Sequence, residues 1–238
     1  MTKAPRAGQV KTRLIPLLTP EEAAALNVCF LRDLSAAIAD AGWPGQGVAC
    51  YTPVGAEEIY ASILPSKFLL MAQRDGPFGQ RLAGALEDLL AAGFGSVCLI
   101  NSDSPTVPAA NFAQAALWLA EAEDTLVLGP SDDGGYYLIG MKRLHRRIFE
   151  EIDWSTDRVL KQTLARAAEI GLAVQLLPLG YDVDESATLH RLCQDLFGPN
   201  EMENANTAPA TRAFLRSIIA REGRARIWPN DEAALSIG

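Results

Sequence analysis

"SVCLINSDSPTVP", residues 96–108, decides how the chain reads as a fold. Val97, Cys98, Leu99 and Ile100 form an apolar run of the length of a buried strand, and Asn101, Ser102 and Asp103 follow at once. Pro105 and Pro108 forbid the strand from continuing, because proline has no N–H for the ladder. A carboxylate aimed out of a buried strand is costly to desolvate unless it meets a partner. Carboxylate oxygen suits Mg²⁺ or Mn²⁺, so Asp103, flanked by the hydroxyls of Ser102 and Ser104, is a candidate metal ligand. A turn aspartate before proline is the other reading of the same residue.

On either side of this stretch, strands and helices alternate. Thr19, Pro20 and Gly42 bracket an Ala/Leu-rich helix as cap, first position and stop. "GVACYTP" reads as a strand, "GAEEIYASIL" as a short helix and "KFLLMAQ" as a strand. Leu82, Leu86, Leu89 and Leu90 recur at helical spacing before Gly93 and Gly95. A helix after Pro108, the strands "TLVLGP" and "GGYYLIG", a helix that Thr156 would cap, the strand "AVQLLPL" and the helices "ESATLHRLCQDLF" and "PATRAFLRSIIARE" complete the series. Such alternation predicts an open, mostly parallel sheet with helices on both faces. Only Met1 and Thr2 precede Lys3, so the first strand is expected to be missing or shortened.

The chain has 238 residues and a formal net charge of −8, which argues against nucleic acid or an anionic membrane as partner. Positive charge is concentrated locally instead. "MTKAPRAGQVKTRL" carries Lys3, Arg6, Lys11 and Arg13 ahead of the first acid, Glu21, and reads as a structured phosphate-binding loop or a solvated basic tail. The four cysteines Cys29, Cys50, Cys98 and Cys193 form no C-x-x-C pair, which fits reduced thiols. No signal peptide and no membrane-length apolar run is present, and a cytoplasmic protein is expected.

Ligands of open α/β sheets bind beyond the carboxyl ends of the strands, and two further motifs are placed to reach that edge. "LLPLGYDVDES" is a second apolar run ending in acid. Asp182 and Asp184 point to one side of an extended segment, which favours a cation near them or a helix N-terminus after them. "GPSDDGGYYLIG" offers the close backbone approach of Gly134 and Gly135 and the faces of Tyr136 and Tyr137, although Asp133-Gly134 is also a hairpin signal. Two histidines, His145 and His190, are too few and too isolated for a zinc cluster or a Ser-His-Asp triad, and no G-x-x-x-x-G-K-[ST] loop occurs.

"KAPRAGQVKTRL", "NSDSPTVP", "LGPSDDGGYYLIG", "IDWSTDRVLKQT" and "YDVDE" stand in the order and spacing of a GT-A-like family, so that residues 3–197 resemble it. Members of that family are described as glycosyltransferase-like, some as arsenosugar-biosynthesis glycosyltransferases. It resembles in turn the guanylyltransferases of molybdenum- and deazaflavin-cofactor synthesis. The resemblance implies a GT-A, nucleotide-diphospho-sugar-transferase-like three-layer sandwich over residues 1–198, with 199–238 as a C-terminal helix and tail packed on it. It implies a donor-phosphate site at Lys3, Gly8, Lys11, Arg13 and Ser102, with Arg74 and Arg81 facing the nucleotide. A Mg²⁺ or Mn²⁺ would be held by Asp103 with Asp182 or Asp184, and Asp103, Lys11 and Arg13 would carry catalysis. Gly134, Gly135, Tyr136, Trp154, Ser155 and Thr156 would shape the acceptor side.

The partners implied are a nucleotide or nucleotide sugar and a small-molecule acceptor. Glycosyl transfer from a nucleotide sugar, nucleotidyl transfer from an NTP, and nucleotide binding without catalysis stay open. Asn101, where glycine is more usual, and Thr188, where an acid is more usual, depart from the family pattern.

Overall fold

The computed structural model describes residues 1–42, 45–199, 201–202 and 204–229; the end of the tail expected at 199–238 lies outside them. Two sheets share the centre. The first has order β1-β2-β3, all parallel, from Thr2–Lys3, Val48–Thr52 and Leu69–Ala72. The second has order β4-β6-β5-β7, from Val97–Ile100, Tyr136–Met141, Thr125–Pro130 and Ala173–Leu176. Strand β6 runs antiparallel to both β4 and β5, while β7 is parallel to β5. The first strand is therefore present, but only two residues long: Thr2 pairs with Tyr51 and Lys3 with Thr52 before Pro5 ends the run.

Helices cover both faces of the second sheet, and the pleat decides which side chain meets which helix. Leu126 and Leu128 of β5 pack with Leu82, Leu86 and Leu89 of α3 (Phe78–Ala91) and Ala167 of α5 (Val159–Glu169). Val127, one position out of phase, joins Leu34 of α1 (Pro20–Ala39) and Phe112 and Ala115 of α4 (Ala109–Ala120). A short helix α2 (Glu57–Ala61) seals the outer part of the first sheet through Tyr60. The C-terminal pair α6 (Ser186–Phe197) and α7 (Pro209–Glu222) closes against α1, with Leu26, Phe30, Leu192, Leu215, Ile218 and Trp228 in one apolar cluster.

Local chemistry explains most of the helix boundaries. Helix α1 starts on a capping box in which the Thr19 hydroxyl accepts from Glu22 N and the Glu22 carboxylate accepts from Thr19 N. Helix α6 starts likewise, with Glu185 capping and Thr188 reciprocating, so the threonine standing in an acid's usual place serves the helix end. Thr156 does not cap α5. Its hydroxyl donates to Asp153 O and accepts from Arg158 N inside a tight loop, and the helix begins two residues later behind Arg158.

Candidate active site

Four connections converge beyond the strand ends: the basic loop after β1, the Asn101–Ser104 turn after β4, the β5–β6 hairpin and the acidic segment after β7. Val183 N donates to Asp103 O at 2.8 Å, and Asp132 N donates to Gly180 O at 3.1 Å, so backbone bonds hold the acidic segment to its neighbours. Between these connections lies a cleft of about 640 Å³. Lys11, Arg13, Asp103, Asp182 and Asp184 line it, together with Gly135, Tyr136, Trp154, Ser155 and Thr156.

Lys11 sits at its floor. The ammonium is paired with Asp103, donates to Asp184 Oδ1 at 2.8 Å and to Val183 O at 2.8 Å, and the side chain is only 3 % exposed. Burial alone would lower its pKa, but the two carboxylates outweigh it and hold the pKa above the ordinary lysine value. Lys11 is thus a fixed positive charge at neutral pH. Its backbone is left-handed at φ 49°, and Ser155 across the cleft has φ 63°. A non-glycine residue there costs about 1–2 kcal/mol, and such strain concentrates where side-chain placement matters.

Asp182 has different surroundings. It accepts from Asn101 Nδ2 at 2.7 Å, from the Ser104 hydroxyl and, at 3.4 Å, from Ser131 Oγ. Burial pushes its pKa up to about 6; the Ser104 hydrogen bond opposes the rise and the nearby Asp103 charge adds to it. Two carboxylates, Asp103 and Asp184, therefore neutralise a lysine, while the third is held by neutral donors. Among the described residues no three His, Cys, Asp or Glu side chains converge as a ready-made metal cage.

The opposite wall is aromatic and tightly built. The Trp154 indole meets Phe78 edge-on, with centroids 5.2 Å apart, and it lies so close over Gly79 that a Cβ there would stand 2.6 Å from Nε1. At Gly134, φ +85°, a Cβ would stand 2.2 Å from the Asp157 carbonyl oxygen, so there is no room for a side chain. The Asp133-Gly134 signal thus marks a hairpin between β5 and β6 and also a wall of the cleft, through Asp133 and Gly135.

Other residues expected at the site stand elsewhere. Lys3 donates to Gln9 O at 2.9 Å, and Gly8 turns the basic loop at φ 70° without lining the cleft. Arg74 is paired with Glu87 and Asp88, and Arg81 donates to Gln73 Oε1 at 3.0 Å under the Phe78 ring. Ser102 faces a second cavity, between β2 and β4. Asn101, Ser104 and Ser131, which hold Asp182, were not expected as site residues; the sign in the sequence was a polar side chain placed directly at a strand end.

Residues 36–156 match DUF2064, described as an uncharacterized protein conserved in bacteria. The chain belongs to this family. The matched part of this DUF2064 protein spans β2 to the Trp154–Thr156 wall and includes Asp103, whereas Lys11, Asp182 and Asp184 lie outside it. Among solved structures, a candidate nucleotide-diphospho-sugar transferase from Desulfovibrio desulfuricans G20 is similar, with TM-score 0.82 and 28 % identity over 93 % of this chain and 95 % of that one. CMP:2-keto-3-deoxy-manno-octonic acid synthetase, complexed with CTP, shares the fold at TM-score 0.51 and 10 % identity, over 80 % of this chain and 93 % of that one. No curated protein matches the sequence. The fold is that of the nucleotide-diphospho-sugar transferases, as the five sequence motifs imply.

Proposed function

We propose that this DUF2064 protein is a transferase that uses a nucleotide-activated donor, with a nucleotide sugar as the preferred one. The observation that carries the reading is the buried Lys11 ammonium, fixed between Asp103 and Asp184 on the floor of a cleft whose rim holds the exposed Arg13. The similarity to the Desulfovibrio desulfuricans protein, over nearly the whole of both chains, supports it.

In such a transfer, negative charge grows on the departing nucleoside phosphate, and fixed positive charge placed there lowers the barrier. Lys11 needs no reorganisation to act, because its carboxylate partners already hold it in place and charged. Arg13 has no acidic partner among the described residues and is free to meet phosphate oxygens at the rim. Gly135, Tyr136, Trp154, Ser155 and Thr156 would position the acceptor, and positioning supplies much of the rate in such reactions.

The carboxylate oxygens of Asp103 and Asp184, with Asp182 beside them, are the right donor type for Mg²⁺ or Mn²⁺, which takes one or two protein carboxylates and completes its shell with phosphate and water. Bound there, the ion would neutralise phosphate charge alongside Lys11, with which it would share the two carboxylates. Nucleotidyl transfer from an NTP is the second reading. It is favoured by the single acid of the Ser102-Asp103-Ser104 triplet, where glycosyltransferases more often carry an Asp-x-Asp pair.

Calorimetric titration with nucleotides and nucleotide sugars, in Mg²⁺, in Mn²⁺ and in chelator, tests these readings on the native chain and on Asp103→Ala. Metal-dependent binding of a nucleotide sugar, at least about tenfold weaker in chelator and in the variant, is the expected result. Preference for a free NTP would shift the reading to nucleotidyl transfer. Binding indifferent to both metal and mutation would leave a nucleotide-binding module and overturn the metal-dependent transferase.

A further inference from the structure

Strand β7 closes one side of the second sheet. It pairs with β5 alone, in parallel, and among the described residues nothing pairs with its outer side. Leu177 N donates to Leu128 O, so the backbone groups of the odd-numbered positions turn toward β5. Backbone groups alternate along a strand, so the N–H and C=O of Val174 and Leu176 point outward. Pro178 follows, with no N–H to give. An edge of this kind is a template for another strand, and proteins ordinarily blunt it with lysine or another charge.

Here that charge is missing. Residues 170–181, "IGLAVQLLPLGY", carry no charged side chain in a chain that is 21 % charged, and from 170 to 180 Gln175 is the one polar side chain. Ile170 is 42 %, Leu176 51 % and Leu179 66 % exposed. Val174 packs into the cluster that holds Leu160, Leu164 and Ala167 of α5, which puts Val174 and Leu176 on the α5 face of the sheet. Gln175 belongs to the other face, where Leu177 joins Leu34 and Phe112.

We propose that β7 is the interface with a second copy of this chain: two β7 strands pair antiparallel about a two-fold axis at Gln175, and the two four-stranded sheets become one. The segment is complementary to itself at each position. Val174 stands opposite Leu176 of the second copy, and the two residues exchange both N–H···O bonds, twice over by symmetry. The pairing ends before Pro178, whose missing N–H would leave the next bond unmade. Gln175 stands opposite its own copy. A side-chain amide, donor and acceptor at once, can pair with itself there, where any charge would meet its like. Ile170 and Leu179 flank the strand at opposite ends, so antiparallel pairing brings Ile170 of one copy to Leu179 of the other. Ile170, Leu176 and Leu179 of both copies are thus covered together, which is what selects a second copy as the occupant.

Light scattering across a range of concentrations, with amide hydrogen exchange read at Val174 and Leu176, tests this on the native chain, on Gln175→Lys and on Gln175→Glu. Gln175 is exposed, so neither variant disturbs the fold, which far-UV circular dichroism checks. The native chain is expected to dimerise, and exchange at the two amides to slow by about tenfold or more as the dimer forms. Each variant alone sets like charges face to face and is expected to dimerise at least about tenfold more weakly, while an equal mixture of the two recovers the dimer. A native chain that stays monomeric at the highest concentration overturns the proposal. A dimer that both variants form as readily as the native chain overturns it too, by giving the contact to another surface, such as the exposed Leu69 and Leu70 of β3. A mixture that stays monomeric overturns the two-fold pairing at Gln175.

Discussion

Lys11 gives up nearly all its water to lie between Asp103 and Asp184, and the arrangement is stable only because two carboxylates share one ammonium. Asp103→Asn or Asp184→Asn alone leaves Lys11 one charged partner, and each is expected to cost about 1–2 kcal/mol. The double variant strands a buried ammonium and should cost more than the sum, by about 1 kcal/mol or more. Urea unfolding of the three variants measures this, and strict additivity would show that the two acids act independently. The acids themselves were legible in the sequence, because each ends an apolar run. Their pairing with Lys11 was not, since Lys11 and Asp184 are 173 positions apart and no local pattern records such a contact. Arg74 and Arg81 show the converse: a basic residue near the motif stretch reads as a ligand contact, yet Glu87 and Asp88, 13 and 14 positions further on in α3, take up Arg74 and Gln73 takes up Arg81.

Helix ends carry the next scale, and Glu22 is the instructive case. It closes the capping box of α1 and also receives Arg221 at 2.6 Å and Arg226 at 2.5 Å from the far end of the chain. Burial alone would raise its pKa, but Arg226, the Thr19 N–H and Arg221 together hold it below the ordinary glutamate value. A carboxylate with a depressed folded-state pKa contributes stability that is fully present above its unfolded value and is lost as pH falls through the folded one. Glu22→Gln keeps the cap geometry and removes the charge. It is expected to cost about 1–2 kcal/mol at pH 7, with the difference from the native chain closing below about pH 4. Denaturant unfolding at stepped pH checks it, and a gap that persists into acid would assign the effect to packing. Helices such as α1 and α6 were readable because caps and apolar period agree. Thr156 was misleading as a cap because its hydroxyl oxygen accepts from Arg158 N inside the loop, and the helix begins only at Val159. The antiparallel direction of β6 against β5 was carried by the Asp133-Gly134 hairpin signal, whereas its insertion between β5 and β4 was not readable, since a fully buried strand is apolar whichever neighbour it pairs with.

At the scale of the whole molecule, the chain's two ends finish what its middle begins. Leu215, Ile218 and Ile227 are completely buried, and Trp228 is 8 % exposed, against Leu26 and Phe30 of α1 and Leu189 and Leu192 of α6. The same α1 carries Leu34 into the core under β5 and β6, and Lys11 lies 5.1 Å from the Phe30 ring centroid. Loosening α7 therefore loosens the helix that supports both the sheet and Lys11, so the terminal segment is expected not to melt as a separate unit. Leu215→Ala is expected to cost about 3 kcal/mol, and Trp228→Ala about 3–5 kcal/mol, for the buried contacts each removes. Both variants should still unfold in one transition, at an unchanged urea slope, with far-UV and near-UV signals coincident. A first transition that releases the α7 amides while the β5 amides keep their exchange protection would separate α7 from the domain. Shared packing on α1 requires the opposite: the α7 amides and the β5 amides losing their exchange protection over the same urea range.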